Sequence, residues 1–174
     1  MNVIGFCGYS GAGKTTLVEQ LIARLRLAGQ RVSVVKHAHH DFDIDHEGKD
    51  SWRHRQAGAY EVVIASNRRL AKMREYPARA EPSVDQLIDE LADCDWVLVE
   101  GFKHAALPKI EVWRAANGKP AQYVVDPFVI AIATERESEL PAPTGLPVFQ
   151  LDDVDAIAGF ILAQETRCRY ERPR

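Results

Sequence analysis

The run Gly8-Tyr-Ser-Gly-Ala-Gly13-Lys14-Thr15 meets G-x-x-x-x-G-K-[ST] at every fixed position. The chemistry such a run can do is phosphate chemistry. Its glycines let successive backbone N–H groups face one concavity, and a helix starting at its end adds the positive end of its dipole. Lys14 is placed to reach β- and γ-phosphates, the Thr15 hydroxyl to ligate Mg2+, and Thr16 to add a contact to the α-phosphate. The pattern predicts a nucleoside triphosphate held with magnesium by Gly11, Ala12, Gly13, Lys14, Thr15 and Thr16. It does not distinguish transfer, hydrolysis or simple retention of the phosphate.

A magnesium-bound triphosphate also needs a carboxylate at the end of a neighbouring strand. Trp96-Val-Leu-Val-Glu100-Gly101 supplies one, with Glu100 in the place more often held by aspartate. Lys14 and Glu100 are thus the expected catalytic pair, Thr15 and Glu100 the expected metal pair, and the Gly101 N–H is a candidate contact to the γ-phosphate. The polar stretch from Lys36 to Gly58 holds His37, His39, His40, Asp41, Asp43, Asp45, His46, Lys49 and Asp50. Imidazoles and carboxylates together suit a divalent ion, yet neither zinc-finger nor H-E-x-x-H spacing occurs, so a polar γ-phosphate-sensing loop is the other reading. No Asn-Lys-x-Asp run marks a base reader. Glu135, just beyond the apolar run Phe128 to Ala133, lies where a carboxylate could meet a guanine edge.

These residues need elements to hold them. Asn2 to Cys7 reads as a buried strand ending in glycine. Leu17, Leu21, Leu25 and Ala28, with Val18 and Ile22 beside them, make the buried stripe of a helix, and Gly29 is its expected C′ residue. Arg31 to Val35 is a second strand. Strand, helix and strand in that order form a βαβ unit and imply a parallel sheet. The long polar loop follows, with a helical turn around Ser51 to Gln56. Tyr60 to Ala65 and Arg69 to Glu75 flank Ser66-Asn67-Arg68 as an antiparallel hairpin. Ser83 and Gln86 form a capping box ahead of Val84, Leu87, Ile88 and Leu91. Further strands are expected at Trp96 to Val99, Lys109 to Trp113, Phe128 to Ala133 and Pro147 to Leu151. Asp152 or Asp153 caps a last helix with Val154, Ile157, Ala158, Ile161 and Leu162 inward. The expected fold is α/β of the P-loop NTPase kind: a mostly parallel twisted sheet flanked by helices, with an inserted antiparallel β-hairpin. One domain spans 1–165, the hairpin inserts at about 59–76, and the basic tail 166–174 is expected to be frayed and solvated.

Composition excludes other classes. The 174 residues are 46% hydrophobic and 27% charged, too apolar for a disordered chain and long enough for one core. Lys plus Arg is 22 against 25 Asp plus Glu, a balance that gives no electrostatic reason to expect nucleic acid. Cys7, Cys94 and Cys168 form no framework, which suits a reducing compartment. The start has no signal-peptide pattern and no apolar run approaches a membrane span, so a cytoplasmic protein without a membrane partner is expected.

Several elements follow one another in order: Gly8 to Thr16, Val35-Lys-His-Ala-His-His-Asp-Phe-Asp43 with Asp45, Gly48-Lys-Asp-Ser51, Ala57-Gly-Ala59 and Val99-Glu-Gly-Phe-Lys103. Together, over about residues 2 to 165, they resemble the molybdopterin-guanine dinucleotide biosynthesis adapter (MobB) family. The P-loop alone is widely shared, and the other elements carry the specificity. The resemblance implies a GTP-binding adapter with slow GTPase activity and GTP and Mg2+ as ligands. It implies a homodimer that works with the molybdenum cofactor guanylyltransferase, and molybdopterin and apo-molybdoenzymes as further partners. It places the phosphate site at Gly11 to Thr16, the magnesium-proximal carboxylate at Glu100, and Lys49 and Asp50 in the family's loop motif. Related metal-chaperone GTPases carry a second P-loop lysine where this chain has Tyr9.

Two other readings stay open on the residues. A P-loop small-molecule kinase would need an arginine-bearing lid, and Ala115 to Pro127 is short and poor in arginine. A metal-chaperone GTPase would use His37, His39 and His40 as its cargo site. Arg53, Arg55, Arg68 and Arg69 are candidates to act in trans across a dimer.

Overall fold

The computed structural model describes residues 1–38, 42–76 and 81–171. The chain divides into two compact units, Met1–His37 with Ser83–Arg174, and Ala38–Pro82.

In the larger unit, β1 (Asn2–Cys7), β2 (Val32–Lys36), β5 (Trp96–Glu100), β6 (Lys109–Trp113), β7 (Val129–Thr134) and β8 (Val148–Gln150) form one sheet in the order β2-β5-β1-β6-β7-β8. Every pairing in it is parallel. Parallel strands need covered faces, and the alternation of β1 and β5 serves two cores at once. Ile4, Phe6, Trp96 and Leu98 pack on α1 (Lys14–Leu27) and α4 (Val154–Ala163), through Leu17, Leu21, Leu25, Ile157 and Ile161. Val3, Val97 and Val99 face the other way, onto Val84 and Ile88 of α3 (Val84–Asp89).

The helix ends follow the sequence signals. Gly29 takes φ 82°, and the Gly29 and Gln30 N–H groups donate to Arg26 and Leu25 carbonyls, the paired bonds that close a helix on a left-handed residue. Ser83 accepts from the Gln86 N–H while the Ser83 N–H donates to Gln86 Oε1, the reciprocal capping box. Asp153 caps α4 by accepting from the Ala156 N–H.

The smaller unit holds α2 (Asp50–Gln56) and the antiparallel hairpin of β3 (Glu61–Ala65) and β4 (Leu70–Arg74), at the positions expected. Its organiser is Arg55. The guanidinium bonds Asp43, Asp45 and Glu75, while the side chain is only 13% exposed.

The tail departs from the expected frayed end. Residues Glu165–Cys168 form α5, Cys168 is buried among the residues of the α1 face, and Arg169 bridges Asn2. The Tyr170 N–H donates to the Met1 carbonyl and its hydroxyl to Asp85 at 2.7 Å. Burial of Cys168 and the backbone edge of β1 hold this segment, so the four arginines do not decide its fate. Residues 172–174 lie outside the described residues.

Candidate functional site

Strand β1 lies between β5 and β6, and the chain leaves it at the point where strand order reverses, the usual place for a ligand in an open parallel sheet. The run Gly8–Gly13 makes the turn from β1 into α1 there. Gly8 has φ +135°, and a Cβ on it would fall 2.2 Å from the Val112 carbonyl oxygen, so only glycine fits. Gly13, at φ +99°, is the N-cap of α1, with no side-chain cap on the helix amides. Those first amides are therefore free of an internal acceptor, as an anion site requires.

Lys14 Nζ donates to the Gly8 and Tyr9 carbonyls at 2.8 and 2.9 Å, curling over the turn. Burial lowers its pKa below the usual lysine value, and the Glu100 carboxylate partly restores it. The Thr15 hydroxyl donates to Glu100 Oε1 at 2.6 Å, and Lys36 Nζ stands 3.4 Å from Glu100 Oε2. Parallel pairing of β5 with β1 and β2 sets this up, because Glu100 sits in register with Phe6 and Lys36. Glu100 itself is buried, with 8% of its surface exposed. A hydroxyl, a carboxylate and an ammonium thus meet at the C-terminal edge of the sheet.

The Gly101 N–H donates to the Phe6 carbonyl at 3.4 Å, at the long limit for such a bond. Phe102 follows with φ +46°, the one positive-φ residue other than glycine among the described residues, and its ring packs on His37 at 4.9 Å. Lys109 Nζ holds the rest of this loop through the Lys103 and Ala105 carbonyls.

On the other side of the turn the structure adds a residue that reading the sequence missed. A Cβ on Gly13 would meet Arg114 Nη2 at 3.4 Å and Leu151 Cδ2 at 3.6 Å. Arg114 Nε is 3.5 Å from Glu135 Oε1, which brings Glu135 to the P-loop by way of Arg114. The signal in the sequence is slight: Arg114 is simply the first residue after an apolar strand.

Of the expected site residues, Gly11 to Thr16, Glu100, Gly101 and Glu135 share the larger unit. Lys49 and Asp50 belong to the smaller unit, where Lys49 is the N-cap of α2 and Asp50 its first residue, 3.9 Å from Arg53. Arg53, Arg55, Arg68 and Arg69 are also there, and Arg55 is committed to its three carboxylates. Those bonds, with Ser51 and backbone N–H groups, depress the Asp43 and Asp45 carboxyls below the usual range, against the desolvation that opposes this most strongly at Asp45. Among the described residues no group of three or more His, Cys, Asp or Glu is arranged to hold a metal ion. His39, His40 and Asp41 lie outside the described residues. Among those described, no helix is long and apolar enough to cross a membrane.

A parallel sheet with a glycine turn, lysine and threonine at its central strand, and a carboxylate from the next strand against that threonine, is the architecture of the P-loop NTPases. Comparison with known proteins narrows the class. The family model described as molybdopterin guanine dinucleotide synthesis protein B (MobB) matches residues 3–135. A molybdopterin-guanine dinucleotide biosynthesis adapter protein of Escherichia coli K12 is 38% identical over 163 residues, 92% of this chain and 91% of that protein. Its counterpart in Haemophilus influenzae is 41% identical over 161 residues, 91% of this chain and 86% of that one. The crystal structure of Bacillus subtilis MobB superposes with a TM-score of 0.73 at 26% identity, covering 95% of this chain and 98% of that one. The chain belongs to the MobB family of molybdopterin guanine dinucleotide synthesis proteins.

Proposed function

We propose that this protein is a GTP-binding adapter of molybdopterin guanine dinucleotide biosynthesis that binds GTP with Mg2+ at Gly11–Thr16 and hydrolyses it slowly. The observation that carries the reading is the 2.6 Å contact between Thr15 and Glu100 beside Lys14. A threonine hydroxyl in the first turn of the helix after the glycine loop and a carboxylate at the end of the neighbouring strand are the pair that holds magnesium against β- and γ-phosphates. The residues fit both groups. The α1 amides lack a side-chain cap, Lys14 supplies a partly desolvated ammonium, and Thr15 and Glu100 supply hard oxygen donors. The metal would neutralise charge developing on the bridging phosphate oxygens. Lys14 binds and orients the phosphates, and the Gly101 N–H would serve the γ position by giving up its long bond to the Phe6 carbonyl. Glu100 is turned to Thr15 and Lys36, so its work is to hold the metal and not to activate water. Positioning without a water-orienting group gives slow hydrolysis. Glu135 is assigned the guanine edge, and Lys49 and Asp50 are assigned to the family's loop motif.

The partner for this activity is the molybdenum cofactor guanylyltransferase, with molybdopterin and apo-molybdoenzymes further along the same route, in the cytoplasm. A second copy of the chain is proposed to cover the hairpin. An isolated two-stranded hairpin is marginal in water, and β3–β4 exposes Val63 and Leu70 on one face and Ile64 on the other.

Calorimetric titration of GTP and of ATP, each with Mg2+, onto the wild type and Lys14→Ala tests the nucleotide reading. GTP binding that disappears in the variant, with ATP silent, supports it. ATP binding with GTP silent overturns the guanine assignment and favours a kinase.

A further inference from the structure

Among the described residues, three buried side-chain polar atoms have no hydrogen-bond partner: Trp96 Nε1, Arg114 Nε and Thr134 Oγ1. One of them, Arg114 Nε, stands at the P-loop. Trp113 and Thr134 are opposite each other in the β6–β7 register and share one face of the sheet, while Arg114, next in extended backbone, turns to the other. A buried donor left unpaired is costly, and a native structure that keeps one beside a ligand cradle usually has a use for it. The Glu135 carboxylate does not relieve Arg114, because at 3.5 Å it is an ion-pair contact without an aligned hydrogen bond. The guanidinium reaches to within 3.4 Å of where a Gly13 Cβ would lie, with Leu151 beside it. The P-loop, a fork of donors, a carboxylate acceptor and an apolar side chain therefore meet beside the phosphate cradle.

We propose that Arg114 is a specificity-determining residue that reads the O6/N7 edge of guanine, next to Glu135 reading the N1–H/N2–H edge. The proposal rests on the GTP reading above and deepens it. The chemistry follows from what each group can do. Arginine only donates, in a planar fork that matches the two acceptors of the guanine O6/N7 edge. A carboxylate only accepts, and the neighbouring guanine edge only donates. The observed Arg114–Glu135 pairing sets a donor fork beside an acceptor, in the order that guanine presents acceptors beside donors. Adenine reverses that order at its 6-position, where an amino group would face the guanidinium. Discrimination thus comes from a pair of side chains just past the ends of two adjacent strands, with no Asn-Lys-x-Asp run.

The test compares GTP with 7-deaza-GTP, which has a C–H in place of N7, in magnesium buffer by calorimetry. The proteins are the wild type, Arg114→Ala and Arg114→Lys. The wild type should bind 7-deaza-GTP about tenfold more weakly than GTP. That ratio should fall close to one in Arg114→Ala and to an intermediate value in Arg114→Lys, whose ammonium can still donate to N7 but without the planar fork. Glu135→Gln should instead flatten the preference for GTP over ITP, which lacks the N2 amino group. A wild type that binds both nucleotides equally overturns the Arg114 proposal and leaves the GTP reading standing. So does a 7-deaza penalty that survives in Arg114→Ala. A wild type that binds no guanine nucleotide overturns both.

Discussion

Lys109 allows a stability prediction worked from its contacts. Its side chain is 2% exposed, and its ammonium donates to the Lys103 and Ala105 carbonyls and to Asp126 Oδ2 at 2.5 Å. Its stem fills the space over Gly5, where a Cβ would meet Lys109 Cγ at 2.7 Å. Lys109→Met keeps the stem and deletes the charge, leaving two carbonyls and a carboxylate without their donor. Removing one partner of a buried pair costs about 3–5 kcal/mol. Asp126 is 15% exposed and its other oxygen accepts from the Phe128 N–H, so the low end, about 3 kcal/mol, applies. For a chain of this size that is a fall in Tm of about 6–12 °C. Lys109→Met with Asp126→Asn should recover part of it, because an amide at 126 is not an unpaired buried charge. Thermal unfolding by circular dichroism, checked by urea titration, measures both. A Tm change below about 2 °C for Lys109→Met would refute the idea that this ammonium pins the loop after Glu100.

Glu100→Gln should leave the fold intact and abolish most of the gain in GTP affinity on adding Mg2+, read by calorimetry with and without EDTA. Gly8→Ala should destabilise by about 3 kcal/mol or more, from a left-handed φ and a collision with the Val112 carbonyl, seen as a lower urea midpoint without a change in slope. Arg55→Met should return the Asp43 and Asp45 carboxyls toward ordinary values, observable by side-chain NMR titration. Because their pKa values are depressed in the fold, the stability they contribute is present above the ordinary carboxylate range and lost as pH falls through the depressed values, so this acid limb should shrink in the variant. Ile64→Lys should shift the protein toward monomer in analytical ultracentrifugation, and an unchanged sedimentation coefficient would remove the hairpin from the proposed dimer interface.

What the sequence made legible was what short-range chemistry specifies. The P-loop, the Gly29 helix end, the Ser83–Gln86 box and the turn at Ser66-Asn67-Arg68 each lie within a few residues, and each is found where it was expected. Glu100 was legible because an apolar strand that ends in Glu-Gly announces its own last residue. Arg114 was not, since its meaning depends on which strands flank β1, and no local pattern records that β6 pairs with β1 on one side and β7 on the other. Lys109 hid for the opposite reason. Its position fits an alternating strand, where a lysine would be expected to face water, yet here the side chain is buried behind Gly5. Charge is a poor guide to the tail, because a buried cysteine and the bridge to β1 outweigh arginines that can remain solvated.

On the proposed reading, phosphate and metal binding at this site are linked, and the contacts say why. Lys14 Nζ is held by two carbonyls, and a phosphate that takes it must replace both bonds. The Thr15 hydroxyl is held by Glu100 in a short, charge-assisted bond, and a metal that takes both oxygens must break it. Glu100 also supports the charge of Lys14, so neutralising Glu100 with a cation removes part of what keeps that ammonium protonated in a desolvated setting. A phosphate anion restores it. Each ligand therefore creates the electrostatic need that the other fills, and neither exchange is favourable to the same degree alone. By reciprocity, whatever factor magnesium adds to nucleotide affinity the nucleotide must add to magnesium affinity. An adapter that works as proposed would respond to the magnesium nucleotide as a unit, and Arg114 and Glu135, which touch neither exchange, would set which base that unit carries.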